Sequence, residues 1–283
     1  MRGSVRTALL TAIRGSASRV ATWVPGRGAV LLGALLLQFP VAPRPSGPHS
    51  FDRRVFDDPE GEPSEDSAHR EFYFTRAVYT GLRRRNWAID YPKADRQLMV
   101  GVRRLLDNLD AFESEHPVRL DDPDLRRFPF LYAVEVGHMA MTDAEVDGLR
   151  RYLQAGGFLV VDDFWGSWEW AIFDEEIHRV LPGCTIVDLP RDHPVFSAFY
   201  DIRAFQQVPN VMNAMTGQTW EKDGYTPHYR GIFDDKGRLL VAINNNTDLG
   251  DAWEWAERPE YPLKYSTFAY QMAVNLIVYG MSH

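Results

Sequence analysis

The sequence predicts an α/β fold, a three-layer, open and mostly parallel sheet with helices on both faces. Three observations predict it. A helix with a capped start and a glycine stop lies between two apolar, strand-length runs within residues 128–161. A further apolar run stands at Leu239 to Ile243. A helix-period stripe of Ala269, Met272, Ala273, Leu276 and Ile277 closes the chain. Strand and helix patterns that alternate along a chain build a sheet covered by helices.

The elements follow in order. Glu71 to Tyr79 is rich in aromatic and β-branched residues and is expected to be a strand. Leu98, Val102, Leu105, Leu106 and Leu109 recur at helical spacing. Phe128 to Val136 is apolar over a strand's length and ends at Gly137. Thr142 and Glu145 then make a Thr-x-x-Glu pattern, in which each side chain satisfies a free amide of the first helical turn. Val146, Leu149 and Leu153 form the buried stripe, and Gly156 with Gly157 supplies the left-handed stop. Phe158 to Val161 is continuously apolar, as strands covered on both faces are. Strand, capped helix and strand make a βαβ unit, which forces its two strands parallel.

Composition bounds the function. The chain has 283 residues, 45% hydrophobic and 25% charged, which are ordinary globular values. Six arginines (Arg2, Arg6, Arg14, Arg19, Arg27, Arg44) and no acid fall within residues 1–50. Taking those six from the 31 basic residues leaves 25 against 39 acidic ones for the remainder. So acidic a body repels phosphate backbones, and no nucleic-acid partner is expected. The one cysteine, Cys184, excludes an internal disulfide and a Cys-rich zinc site.

Five of these arginines precede an apolar run from Ala29 to Phe39, followed by Pro40 and a Pro/Ser/Gly stretch. A basic region before a short apolar segment is the pattern of a secretory signal. Residues 1–44 are therefore expected to be a signal peptide or an N-terminal membrane anchor, with an acid-poor transit peptide or a misplaced start as alternatives. The protein is expected to be exported, periplasmic or membrane-anchored, touching the membrane through this segment only. Residues 45–68 read as a Pro-rich linker, and residues 69–283 as a single α/β domain.

In open parallel sheets ligands bind beyond the carboxyl ends of the strands. That rule selects the loops Gly137 to Thr142 and Asp162 to Gly166, which the βαβ unit places at one edge. His138, Asp162, Asp163 and Glu169 are thereby candidates for a common crevice, where paired carboxylates hold a metal or one titrates as an acid. The competing reading makes one aspartate a helix cap. A third loop follows Ile243, with Asn244, Asn246, Asp248, Asp251 and Glu254 as oxygen ligands. It starts like an EF-hand loop and then departs from one, with Leu249 at the sixth position and Trp255 at the twelfth. An irregular oxygen site competes there with a self-bonded polar loop. Trp165, Trp168, Trp170, Trp253 and Trp255 are either core filling or a stacking surface for sugar rings, and Trp165 joins the candidate ligand site. No nucleophile elbow, His-Glu-x-x-His pattern, Walker loop or dinucleotide fingerprint occurs, so no nucleotide cofactor is expected.

Several of these stretches belong together. They are Trp87 to Gln97, Phe128 to Tyr132, Leu149 to Gly166, Asp192 to Phe196, Asn246 to Glu254 and Asn275 to His283. As an ordered set, covering nearly all of Glu71 to His283, they resemble the bacterial domain-of-unknown-function family 4159. The resemblance implies a class I glutamine amidotransferase-like, flavodoxin-like architecture. It does not carry amidotransferase activity, because Asp162 and Asp163 stand where those enzymes place a cysteine. It also implies an accessory envelope role beside MoxR-type ATPases and von Willebrand factor A-type proteins. The expected function is non-catalytic binding or scaffolding in the cell envelope, of a small ligand, divalent metal, saccharide or partner protein. The alternative is a carboxylate- or metal-dependent hydrolase of envelope polymers, with Asp163 as ligand or base and His138 as acid or base.

Overall fold

The computed structural model describes residues 70–83 and 85–283; the expected signal or anchor and the Pro-rich linker lie outside the described residues. Seven strands form one sheet: β1 (Thr75–Val78), β2 (His116–Arg119), β3 (Phe130–Val134), β4 (Phe158–Asp162), β5 (Val187–Asp188), β6 (His228–Phe233) and β7 (Leu239–Asn245). Their order is β2-β1-β3-β4-β7-β6-β5. The first five in that order run parallel, and β6 and β5 add an antiparallel edge. The helices are α1 (Lys93–Leu105), α2 (Asp143–Gln154), α3 (Gly166–Val180), α4 (Val211–Thr216), α5 (Leu249–Glu254) and α6 (Leu263–Ser282).

The predicted βαβ unit is present. β3 and β4 pair in parallel from Phe130 opposite Phe158 to Val134 opposite Asp162, and α2 joins them. Every residue of both strands is buried, and alternate residues serve opposite cores. Phe130, Tyr132, Phe158 and Val160 meet residues of α1 and α6, while Leu131, Ala133, Leu159 and Val161 meet α2 and α3. That two-sided burial is why these runs show no polar alternation.

The start of α2 follows the sequence pattern. The Glu145 amide donates to Thr142 Oγ1, and Glu145 Oε2 accepts from the Thr142 amide. Glu145 is fully buried because its other oxygen takes the Thr80 amide and hydroxyl, tying α2 to the end of β1. Thr142→Ala should therefore cost about 1 kcal/mol in urea unfolding, the usual loss for a helix cap.

Other boundaries moved. The strand expected over Glu71 to Tyr79 is confined to β1, with only an isolated bridge from Phe72 to Ala111 before it. α1 ends at Leu105, so Leu106 and Leu109 pack from the following turn and not from the helix. The 162–169 loop is short, because α3 begins at Gly166, and the polar 244–254 loop contains the helix α5. No helix among the described residues is long and apolar enough to cross a membrane.

The strand order places a topological switch between β1 and β3, since the chain leaves β1 toward β2 and then crosses to β3 on the other side. Connections diverge at such a point, and a crevice opens beyond the carboxyl ends of the strands.

Candidate functional site

The segments leaving β1, β3, β4 and β7 bring several buried or half-buried acids to this edge. Glu135 follows β3, Asp163 follows β4, and Asp248 follows β7 and caps α5. Asp90 lies between β1 and α1. Asp90, Glu135, Asp163 and Asn246 all have positive φ (61°, 54°, 51° and 59°) without being glycine. Such backbone is held only where surrounding structure over-determines it, and it concentrates at functional sites.

Asp90, Asp163 and Asp248 each direct a carboxylate oxygen to one place, all within 4.8 Å of one another. Asp163 and Asp248 are buried, at 6% and 3% exposure. Asp163 Oδ1 accepts from Trp165 Nε1 at 2.9 Å, and Asp248 Oδ1 from the Asp251 amide at 2.7 Å. Asp90 Oδ2 is enclosed with no amide or hydroxyl donor, its carboxyl lying within hydrogen-bond reach of the Asp251 carboxyl. Beside them Asp162, wholly buried, accepts at Oδ2 from the Tyr132 hydroxyl and the Leu249 amide, both 2.8 Å, and leaves Oδ1 without a partner. Gly250 borders the group: a Cβ there would lie 2.7 Å from Asp90 Oδ2, 3.4 Å from Asp248 Oδ1 and 3.5 Å from the Tyr132 hydroxyl. Gly250→Ala should therefore push Asp90 aside and weaken binding at this site about tenfold, read by ligand titration.

Positive charge is scarce here. Arg76 reaches Asp90 electrostatically, but it is wholly buried and its guanidinium grips Asp95 through two nitrogens. Burial first, and neighbouring carboxylates second, hold Asp90, Asp163 and Asp248 well above the ordinary carboxylate range. Burial likewise pushes Asp162 up to about 7. These are the environments in which a carboxylate takes up either a proton or a metal ion.

A second group adjoins through Asp163, whose backbone carbonyl accepts from the Glu135 amide at 3.1 Å. His138 bridges two glutamates, with Nδ1 2.6 Å from Glu135 Oε2 and Nε2 3.4 Å from Glu169 Oε1. Glu169 is 1% exposed, pairs with Lys222 and accepts from the Trp165 amide. Burial and the Glu169 charge push Glu135 up to about 7, and burial lowers His138. Glu135 and His138 thus stand in close contact with their titrations pushed in opposite directions, although His138 Nδ1 makes no hydrogen bond. Glu135, His138 and Glu169 also direct ligand atoms within 4.8 Å of one another.

The pH dependence follows in sign. Asp162 and Glu135 bind protons more tightly folded than at their ordinary values of 3.8 and 4.5. Their stabilising protonation is complete below about pH 4 and is lost as pH rises through about 7. Without divalent ions, the melting temperature should fall across that window, as differential scanning calorimetry would record.

Of the residues the sequence selected, His138, Asp162, Asp163, Glu169, Asp248, Asp251 and Glu254 do meet at this edge. Asn246 does not offer a free oxygen: Oδ1 accepts from the Gly166 amide and Nδ2 donates to the Thr226 carbonyl, pinning three loops together. Asn244 is buried within β7, and its side-chain nitrogen is enclosed without a partner. Trp165 and Trp253 are 2% exposed and fill space, so of the five tryptophans only Trp168, 58% exposed and against the His138 ring, is free to stack on a ligand. Trp220 and Tyr225, at 39% and 67% exposure, flank the Lys222–Gly224 turn that touches Glu169 and Asn246. Asp90, Glu135 and Lys222 were not selected. Glu135 carried a signal, as an acid interrupting the apolar Phe128 to Val136 run, whereas Asp90 and Lys222 arrive through tertiary structure alone.

Comparison with curated proteins finds no match. The family model described as Domain of unknown function (DUF4159) matches residues 74–281, from the start of β1 to the last turn of α6, and the chain belongs to that family.

Proposed function

We propose that this chain is a divalent-cation-dependent binding domain of the cell envelope, recognising an oxygen-rich ligand such as a wall saccharide. The observation that carries the reading is the convergence of Asp90, Asp163 and Asp248 oxygens, with enclosed carboxylate oxygens left without an amide or hydroxyl donor. Oxygen ligands of a magnesium, manganese or calcium ion lie about 2.0 to 2.6 Å from it, so two of them are at most about 5 Å apart. The 4.8 Å spread fits. Trp168 against His138, and Trp220 with Tyr225 beside the Lys222 turn that reaches Glu169, are exposed aromatic faces next to the second acidic group, and indole and phenol rings stack on sugar rings. Export, tethering, envelope partners and kinship with amidotransferase-like folds are parts of the same proposal. The parallel order β2-β1-β3-β4-β7 agrees with such kinship.

The test is a calorimetric titration of the chain with wall-derived oligosaccharides, with and without calcium or manganese. Cation-dependent binding that Trp168→Ala weakens about tenfold supports the reading. Sugar binding that ignores the ion refutes it.

The second reading, a hydrolase, draws on the Glu135–His138 contact of 2.6 Å and on a Glu135 carboxyl that burial and the Glu169 charge push up to about 7. A general acid works best when its titration lies near the operating pH. Turnover of a glycoside or ester that His138→Ala abolishes, with cation binding intact, would favour it over binding alone.

A further inference from the structure

Asp90 belongs to two oxygen sets at once. The first is Asp90, Asp163 and Asp248; the second is Asp90, Asp251 and Glu254, and each set lies within 4.8 Å. We infer that the crevice holds two divalent cations side by side, with the Asp90 carboxylate bridging them. This rests on the cation reading above and adds a second ion and a shared ligand to it.

Three observations carry the inference. The Asp251 carboxylate is already oriented, since Oδ2 accepts from the Val211 amide and Oδ1 from Trp255 Nε1 at 3.2 Å, and its oxygens lie within hydrogen-bond reach of the Asp90 and Glu254 carboxyls, where an ion would replace a shared proton. Asp90 Oδ2 and Asp162 Oδ1 are enclosed without amide or hydroxyl donors, and Asp162 is wholly buried. Tyr132, which binds Asp162, borders Gly250 together with Asp90 and Asp248, so these carboxylates face one small volume. The missing Cβ of Gly250 keeps that volume open.

Charge points the same way. Asp90, Asp163, Asp248, Asp251 and Glu254 bring five carboxylates together, while Arg76 is committed to Asp95. Once ions displace the protons these groups hold, one dication leaves most of that charge uncompensated in a buried setting; two nearly cancel it. A carboxylate shared by two ions about 3.5 to 4 Å apart is the arrangement by which two-metal centres grip an oxygen ligand. The inner ion, on Asp163 and Asp248, is enclosed. The outer one lies toward half-buried Glu254 and is the ion a ligand oxygen reaches.

The experiment titrates the full chain with manganese alone, following free ion and bound-ion spin coupling by electron paramagnetic resonance. Expected are two ions per chain with an exchange-coupled signal, falling to one uncoupled ion in Glu254→Gln. His138→Ala should keep both ions, because the Glu135–His138–Glu169 set is separate. One ion in the wild type, unchanged by Glu254→Gln, overturns the pair and leaves the single-cation reading standing. Two ions without coupling, or one lost in His138→Ala, place the second ion elsewhere and also overturn it. No bound manganese in any form overturns both.

Discussion

Asp163→Asn is expected to stabilise the ion-free chain and to abolish its response to divalent cations. Both halves come from one feature. Asp163 is buried beside Glu135 and Asp90, and that environment penalises its charge. An asparagine keeps the oxygen that accepts from Trp165 Nε1 and removes the charge. The ion-free variant should melt a few degrees higher, as about 1 kcal/mol of relieved repulsion would give. Cation affinity should fall more than about 100-fold, since losing a direct ligand exceeds the usual 10- to 100-fold effect of an outer one. At a hundred times its dissociation constant a ligand adds about 2.7 kcal/mol, or roughly 5 to 10 °C for a domain of this size. That shift should appear in the wild type and vanish in the variant. Were Asp163 only an anchor for Trp165, both proteins would respond alike.

The largest effect on stability is expected from Arg76→Met. Arg76 and Asp95 are each fully buried, and Arg76 also lies over the Tyr132 ring at 4.9 Å. Removing one partner of a buried pair leaves an uncompensated charge, at a cost of about 3 to 5 kcal/mol. Urea unfolding should register that loss. Replacing both partners, as Arg76→Met with Asp95→Leu, should recover most of it, because the desolvation cost disappears with the charges. A loss under about 1 kcal/mol in the single variant would show that the pair is not holding β1 to α1. Since Tyr132 in turn binds Asp162, the variant should also loosen the floor of the carboxylate site.

How much of this was legible in the sequence depends on distance along the chain. The Thr142–Glu145 cap, the Gly156 stop (φ 108°) and the two apolar strands are short-range patterns, and each is found where its residues predicted. Together they fixed the parallel pairing of β3 with β4 and so placed Asp162 and Asp163 at the ligand-binding edge. Asp90 was different. It follows a short turn of helix at Asn86–Ala88, and only the packing of α1 against α5 and α6 brings it to Asp251 and Glu254. No local pattern announces a residue whose partners are some 160 positions away. α5 was hidden for another reason: eight residues with three acids and two tryptophans, from Asp248 to Trp255, give too little periodicity to separate a helix from a loop. β5 has only two residues, both exposed, and β6 mixes half-buried and buried positions around Arg230 and Gly231, so neither gives a continuous apolar run.

The most direct measurement is calorimetric titration of the full chain with manganese near pH 6, repeated in two buffers of different ionisation enthalpy. If buried carboxyls that hold protons become the ligands of the ion, binding must release protons. The predicted result is saturable binding with at least one proton released per chain, lost in Asp163→Asn. Absence of saturable heat, or binding that persists unchanged in the variant, would contradict a cation site at Asp90, Asp163 and Asp248.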